Sequence, residues 1–401
     1  MLKPDMMLEA TRLTRAGQLT KATAFLQRMF RGETARDIAG RAGDAALSTP
    51  IIGEAIGETD PPLFGTATSA LPNRSDVLRG FFDHVRRRSN LKVEDLMPSA
   101  PVSRPDVVPP GGKFIEETYS NPAGTRTYKL YIPSRYQGQT FPLIVMLHGC
   151  TQSPDDFAAG TRMNLIAEEQ TCLVVYPAQP SEANPAKCWN WFRPSDQRRG
   201  QGEPSLIAGI TRQVMHQYSV DPQRVYIGGL SAGAAAAAVM GATYPDLYAA
   251  IGVHSGLACG AANDLPSAFV VMRQGDFGDS LDSSQISLLR KGDPVPTIVF
   301  HGDRDTTVNP RNGDHVIARS MRSTNLRKTV HRSRVPGGHA YTRTIHTDPS
   351  GRAIFEHWQI HGAGHAWSGG SPAGSFTDRR GPDATREMLR FFLEHRIPVG
   401  R

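Results

Sequence analysis

From Lys113 onward, short apolar runs alternate with segments of helical spacing, and this alternation restricts the architecture more than any other feature of the 401 residues. "RTYKLYIP", "FPLIVMLHG", "CLVVYP", "RVYIGG", "AAIGVHS", "PTIVFHG" and "AIFEHWQIHG" read as strands. Several are apolar throughout, as strands covered on both faces are. Between them "EPSLIAGITRQVMHQY" and "SAGAAAAAVMGATYP" carry helical spacing, and "PDATREMLRFFLEHR" closes the chain. Strands separated by helices run parallel, because tight hairpins cannot join them. The expected fold class is therefore α/β over residues 113–398, a mostly parallel central sheet with helices on both faces. The sequence has no internal repeat.

Two different zones come first. Residues 1–39 place Leu8, Leu13, Leu19, Ala22, Phe25, Leu26 and Met29 at mostly helical spacing, interrupted at Ala16 and Gly17, which predicts a short N-terminal helical hairpin. Residues 40–112 are rich in Ala, Gly, Ser, Thr and Pro and read as a linker with one helix at "SDVLRGFFDHVRRR". Arg12, Arg15, Arg28 and Arg31 flank the apolar stripe, which suits docking on the main domain, an oligomer contact or an anionic surface such as a granule.

No run approaches the roughly 18 apolar residues of a membrane span, so no transmembrane segment is expected. The first residues mix acids with apolar side chains and lack the core of a secretory signal, which favours a cytoplasmic location. A formal charge of +7, with arginines scattered among acids, argues against nucleic acid as a partner. Cys150, Cys172, Cys188 and Cys259 form no CxxC pair and have no histidine at metal-ligand spacing. No metal site is expected, and a reducing compartment is the simpler reading.

"GLSAG", residues 229–233, fits the nucleophile-elbow pattern G-x-S-x-G, with a predicted strand before it and an alanine-rich helix after it. At such a turn a side chain on either flanking residue collides as the chain reverses, and the helix N-terminus below turns N–H groups toward the serine oxygen. The alanines then give a strong helix former with small side chains for close packing on the sheet. A serine nucleophile requires a base and an orienting acid. "PTIVFHGDRDTTVNP" brings Asp303 and Asp305 to the carboxyl end of a strand, where open α/β sheets place their sites. Asp305 is the candidate acid, and Asp303 is expected to cap the turn. Among thirteen histidines, His365 of "IHGAGHAWSGG" follows a strand inside a glycine-rich loop and is the candidate base; His339 in "VPGGHAY" is the next choice, and His357 and His361 read as strand residues. The N–H groups of Cys150, after "PLIVMLHG", and of Ala232 are the candidate oxyanion donors.

Together "LHGCTQSPDDFA", "VVYPAQ", "CWNWF", "GLSAGAAAAAVMGATYPDLYAAIGVHSGL", "FHGDRDTTVNP" and "HGAGHAWSGG" resemble the poly(3-hydroxybutyrate) depolymerase family of esterases, relatives of feruloyl and acetylxylan esterases. The resemblance spans residues 113–395. It implies an α/β-hydrolase fold, a triad of Ser231, Asp305 and His365, Cys150 at the oxyanion position, and hydrolysis of short-chain hydroxyacyl esters without a cofactor. It also implies a substrate cleft formed by Trp189 and Trp191 with His148 and Trp367, although the first two tryptophans read equally well as core aromatics. Family members are often secreted and disulfide-bonded, so the resemblance leaves a Cys150–Cys188 bridge open in an oxidising compartment, with the connectivity not fixed by sequence. Secreted depolymerases of solid polymer carry a C-terminal substrate-binding domain; here the chain ends after its last helix, and its front segment is unrelated. Three alternatives stay open: a feruloyl or acetylxylan esterase, a serine peptidase lacking any preceding propeller, and a binding protein that keeps the fold without catalysis.

Overall fold

The computed structural model describes residues 107–275, 294–321 and 325–398. The expected N-terminal hairpin and almost all of the 40–112 segment, with its single helix, lie outside the described residues. In chain order the main elements are β1 (Lys113–Asn121), β2 (Gly124–Ile132), β3 (Phe141–Leu147), α1 (Pro154–Thr161), α2 (Met163–Gln170), β4 (Leu173–Pro177), α3 (Gly202–Gln217), β5 (Val220–Leu230), α4 (Ala232–Thr243), β6 (Ala250–His254), α5 (Leu265–Gln274), β7 (Thr297–Gly302), α6 (Arg311–Ser320), β8 (Arg327–Arg334), β9 (Ala340–Thr347), β10 (Ala353–Ile360), the short pair β11 (Trp367–Ser368) and β12 (Thr377–Asp378), and α7 (Ala384–Leu393).

Ten strands form one sheet in the order β1-β2-β4-β3-β5-β6-β7-β10-β9-β8. From β4 to β10 every neighbouring pair is parallel. An antiparallel hairpin closes each edge, β1–β2 on one side and β9–β8 on the other. The parallel centre follows from its composition. Every residue of β3, β4, β6 and β7 is buried, so these strands need cover on both faces.

Alternation along β3 shows how that cover is divided. Leu143, Val145 and Leu147 enter one core with Ile207 and Ile210 of α3, the alanines of α4 and Val316 of α6. Ile144 and Met146 enter a second core with Phe157 of α1, Ile166 of α2 and Met388, Phe391 and Phe392 of α7. Helices thus lie on both faces of the sheet, and the two-residue strand period sorts the side chains between them. Each such leucine or isoleucine contributes about 1.5–3 kcal/mol by leaving water. Among the described residues no helix is long and apolar enough to cross a membrane.

Parallel register brings the strand ends to one edge. Leu147 is opposite Gly229, Leu230 opposite His254, His254 opposite Phe300, and Gly302 opposite Ile360. The loops that follow β3, β5, β7 and β10 carry Cys150, Ser231, Asp305 and His365, so residues far apart in the chain emerge on the same rim.

Candidate active site

Ser231 sits between β5 and α4 with φ 57° and ψ −120°, backbone that an L-residue holds at a cost on the order of 1–3 kcal/mol. Hydrogen bonds pin the turn on both sides: the Ser231 N–H donates to the His254 carbonyl at 2.9 Å, and its carbonyl accepts from Ala235 N at 3.0 Å. A Cβ on Gly229 would fall 2.6 Å from the Gly233 carbonyl and from the Leu147 oxygen, and one on Gly233 would strike the Leu147 and His148 carbonyls. Both glycines are thus required by close approach of the elbow to β3 as well as by chain reversal. All seven residues 232–238 of α4 are buried, which explains the alanine run: the helix is enclosed around its whole circumference. Ala232 is its first residue, whose N–H has no intrahelical acceptor.

Asp305 and His365 are joined. His365 Nδ1 and Asp305 Oδ2 lie 2.7 Å apart, the carboxylate fully buried and the imidazole side chain 12% exposed. The other oxygen, Oδ1, accepts from Thr307 N at 2.9 Å and Val308 N at 2.8 Å. Burial by itself would weaken this acid and raise its pKa, but the charge of His365 and the hydrogen bonds of His301 and His365 outweigh it and hold the group ionised far below the usual carboxylate range. The acid loop and the histidine loop are also tied through the backbone, Asp303 N to Ile360 O and Arg304 N to Ala363 O, both at 3.0 Å. Two residues beyond His365, Trp367 is wedged against His254 and Phe157 and donates to Thr385 Oγ1 at 3.0 Å, anchoring the loop. Among the described residues no hydrogen bond links the Ser231 hydroxyl to the His365 imidazole. The acid–base half of the arrangement is closed and the serine–base half is open.

The competing histidines have carboxylates of their own. His339 Nε2 is 2.8 Å from Asp378, and His361 bridges Asp303 at 2.9 Å and Thr342 Oγ1 at 2.9 Å. Asp303 also accepts from Gly362 N at 2.7 Å, so its capping role is exercised on the histidine loop rather than on its own turn.

The loop after β3 is braced from several directions. Gly149 N donates to Gln152 Oε1 at 2.9 Å, and Gln152 Nε2 in turn reaches Asp156 at 2.8 Å. Thr151 N donates to Ala186 O at 2.7 Å. A disulfide joins Cys150 to Cys188 across 38 residues, while Cys172 and Cys259 are free. Bonds of this kind are characteristic of oxidising compartments, whereas the cysteine spacing alone favours a reducing one. His148, Trp189 and Trp367 are each at most 1% exposed, and Trp191 is 6% exposed. Trp189 donates to the His148 carbonyl at 3.1 Å, and His148 Nε2 accepts from Gln179 N at 3.1 Å. Burial pushes the His148 imidazole down to about 4, which keeps it neutral. The four side chains expected at a substrate cleft are packed inside, where the hydrogen bonds of Trp189 and His148 tie together the loops that carry the site.

Three contributors escape a reading of motifs. His254, at the end of β6, is fully buried between Phe300 and Trp367, and its Nε2 accepts from Ser368 N at 3.0 Å. Burial, then the charges of His301 and His365, push it down to about 3. His301, on β7, approaches Asp305 from below at 3.4 Å. Glu203, fully buried at the start of α3, accepts from Gln179 and Asn190, and burial followed by the charge of Asp196 raises it to about 7. The signal available for the histidines was their position as the last or next-to-last residue of an otherwise apolar strand. Among the described residues no cluster of three or more His, Cys, Asp or Glu could hold a metal ion.

The sequence profile of the family described as esterase PHB depolymerase matches residues 126–337. Poly(3-hydroxyalkanoate) depolymerase C of Paucimonas lemoignei is 34% identical over 252 residues, which cover 61% of this chain and 59% of that protein. Feruloyl esterase B of Thermothelomyces thermophilus is 27% identical over 246 residues, 58% of this chain and 82% of that one. This chain therefore spans less than two thirds of the depolymerase's length. Among solved structures, an acetyl xylan esterase from Aspergillus awamori aligns with a TM-score of 0.52 at 20% identity, over 71% of this chain and 99% of that one, a likeness of fold alone. With more than half of its residues matched by the family profile, and with the strand, elbow and loop order described above, the chain belongs to the PHB depolymerase family of esterases.

Proposed function

We propose that the protein is a serine esterase that hydrolyses short-chain hydroxyacyl esters, of the oligo- or poly(3-hydroxybutyrate) type, through an acyl-enzyme. The observation that carries this reading is the 2.7 Å contact of His365 Nδ1 with the buried Asp305 carboxylate, on the same sheet rim as the strained Ser231 turn. Because Asp305 is ionised and accepts from Nδ1–H, the free lone pair of the imidazole is on Nε2, the tautomer a general base requires. Nε2 takes the Ser231 proton as Oγ bonds to the ester carbonyl carbon. The oxyanion is received by the N–H groups of Cys150 and Ala232. When the tetrahedral adduct collapses, the ester C–O bond breaks and His365 returns the proton to the departing alkoxide. Water then repeats the sequence to free the acid and restore Ser231. Every step uses the chain's own nucleophile, base and donors.

The greater identity to the depolymerase supports the hydroxyacyl substrate, and the likeness to a feruloyl esterase over 82% of that protein's length supports a carbohydrate esterase as the second reading. A panel of p-nitrophenyl acyl esters, 3-hydroxybutyrate oligomers and methyl ferulate separates them. Highest kcat/KM is expected on the oligomers; preference for methyl ferulate would favour the second reading. Deleting residues 1–112 and measuring polymer association beside soluble-ester turnover tests whether the front segment serves a granule or oligomer contact.

A further inference from the structure

We propose that His301 is a positioning residue for the catalytic carboxylate, a second imidazole that fixes Asp305 from inside the sheet; this rests on the reading of Asp305 as the triad acid. His301 is 1% exposed on β7, and its Nε2 lies 2.9 Å from the Val308 carbonyl. A carbonyl only accepts, so Nε2 carries the hydrogen. The same Nε2 is 3.4 Å from Asp305 Oδ2, and Val308 N donates back to Asp305 Oδ1 at 2.8 Å. Imidazole, Val308 and carboxylate thus close a ring: His301 holds the carbonyl of the peptide whose neighbouring N–H holds the acid. Oδ2 consequently faces two imidazoles, His365 at 2.7 Å and His301 at 3.4 Å.

The opposite edge of the ring shows that this contact is kept at a cost. His301 Nδ1 is buried and has no hydrogen-bond partner among the described residues, and the same holds for His357 Nε2. Both point at Gly313 of α6, where a Cβ would lie 2.9 Å from His301 Nδ1 and 3.2 Å from His357 Nε2. A buried acceptor without a partner is unfavourable, and an apolar side chain of similar volume would avoid the penalty. What the imidazole supplies in exchange is its Nε2–H, directed at Val308 and Asp305. Gly313 is the residue that lets α6 lie flat over the ring.

The test compares His301→Leu, His301→Gln and Gly313→Ala with the parent and with Ser231→Ala, using p-nitrophenyl butyrate. Gln places an amide N–H near the Nε2 position and Leu does not. His301→Leu is expected to lower kcat by about 10- to 100-fold, the range for a hydrogen bond to a charged group, with KM within about twofold. His301→Gln is expected to recover most of that loss. Gly313→Ala, which keeps the imidazole but crowds it, is expected to lower kcat without raising KM. Parent-like kcat in His301→Leu, or equal losses in the Leu and Gln variants with Gly313→Ala unaffected, would overturn the proposal. Activity retained by Ser231→Ala would instead overturn the reading of the site on which it rests.

Discussion

Replacing Asp305 with Asn is a perturbation whose result is dictated by four neighbouring hydrogen atoms. Oδ1 is held by two backbone donors, Thr307 N at 2.9 Å and Val308 N at 2.8 Å. An Asn side chain must put its carbonyl oxygen there, because turning its NH₂ toward two N–H groups would forfeit both bonds. The NH₂ is then forced into the Oδ2 position, 2.7 Å from His365 Nδ1 and 3.4 Å from His301 Nε2. A donor facing Nδ1 drives the proton off that nitrogen and onto Nε2, which no longer has a lone pair for the serine proton. The fold should be unchanged while kcat drops about 10⁴-fold, the cost of the wrong tautomer in a triad, or about 5.4 kcal/mol at 1.36 kcal/mol per decade. The assay is steady-state hydrolysis of p-nitrophenyl butyrate, with near-UV circular dichroism confirming native packing. A variant that folds normally and keeps more than about a tenth of the parent kcat would refute the assignment of Asp305 and the tautomer argument together.

Stability should fall steeply on mild acidification. His148 and His254 are depressed by burial to about 4 and about 3, below the value near 6.5 they have when unfolded, so below pH 6.5 the unfolded chain binds protons that the folded chain does not. Their contribution is complete above that pH and is lost as pH falls through it, by about 2 kcal/mol between pH 6 and pH 5, whereas the contribution of Asp305 is lost only below about pH 4. Urea unfolding at the two pH values measures this, and equal free energies would contradict it. Cys188→Ser opens a bridge between residues 38 apart and is expected to cost about 4 kcal/mol by chain entropy, read as a lower Tm. Its kcat should fall by less than the roughly 10²-fold cost of losing an oxyanion donor, since Gly149 and Thr151 remain tied to Gln152 and Ala186. An unchanged Tm would contradict the bracing role of the disulfide.

The central parallel strands were legible because burial on both faces leaves little room for polar residues, and runs such as "PLIVMLHG" state that directly. Of the edge hairpins only β2 was, as "RTYKLYIP"; β1, β8 and β9 were not. Every residue of β8, "RKTVHRSR", is exposed, so its sequence carries no alternation of burial, and its strand character comes from pairing with β9 alone. At the rim, Ser231 announces itself through glycines that steric contact demands. Asp305 and His365 are marked by their place after strands, and they meet at 2.7 Å. Tryptophans read less well: composition cannot tell an aromatic that faces a cleft from one that anchors the cleft's walls, and the structure makes Trp189 and Trp367 anchors. Hidden most completely was His301, one buried residue in a buried strand, whose meaning depends on the fold of the turn four to seven residues later.

The most direct test of a serine nucleophile at the elbow is covalent. Treatment with a fluorophosphonate probe, followed by peptide mass spectrometry, should find a single adduct on Ser231, absent in Ser231→Ala and formed far more slowly in Asp305→Asn. A protein that turns over short acyl esters yet stays unlabelled at Ser231, or whose Ser231→Ala variant hydrolyses them at the parent rate, would contradict the account.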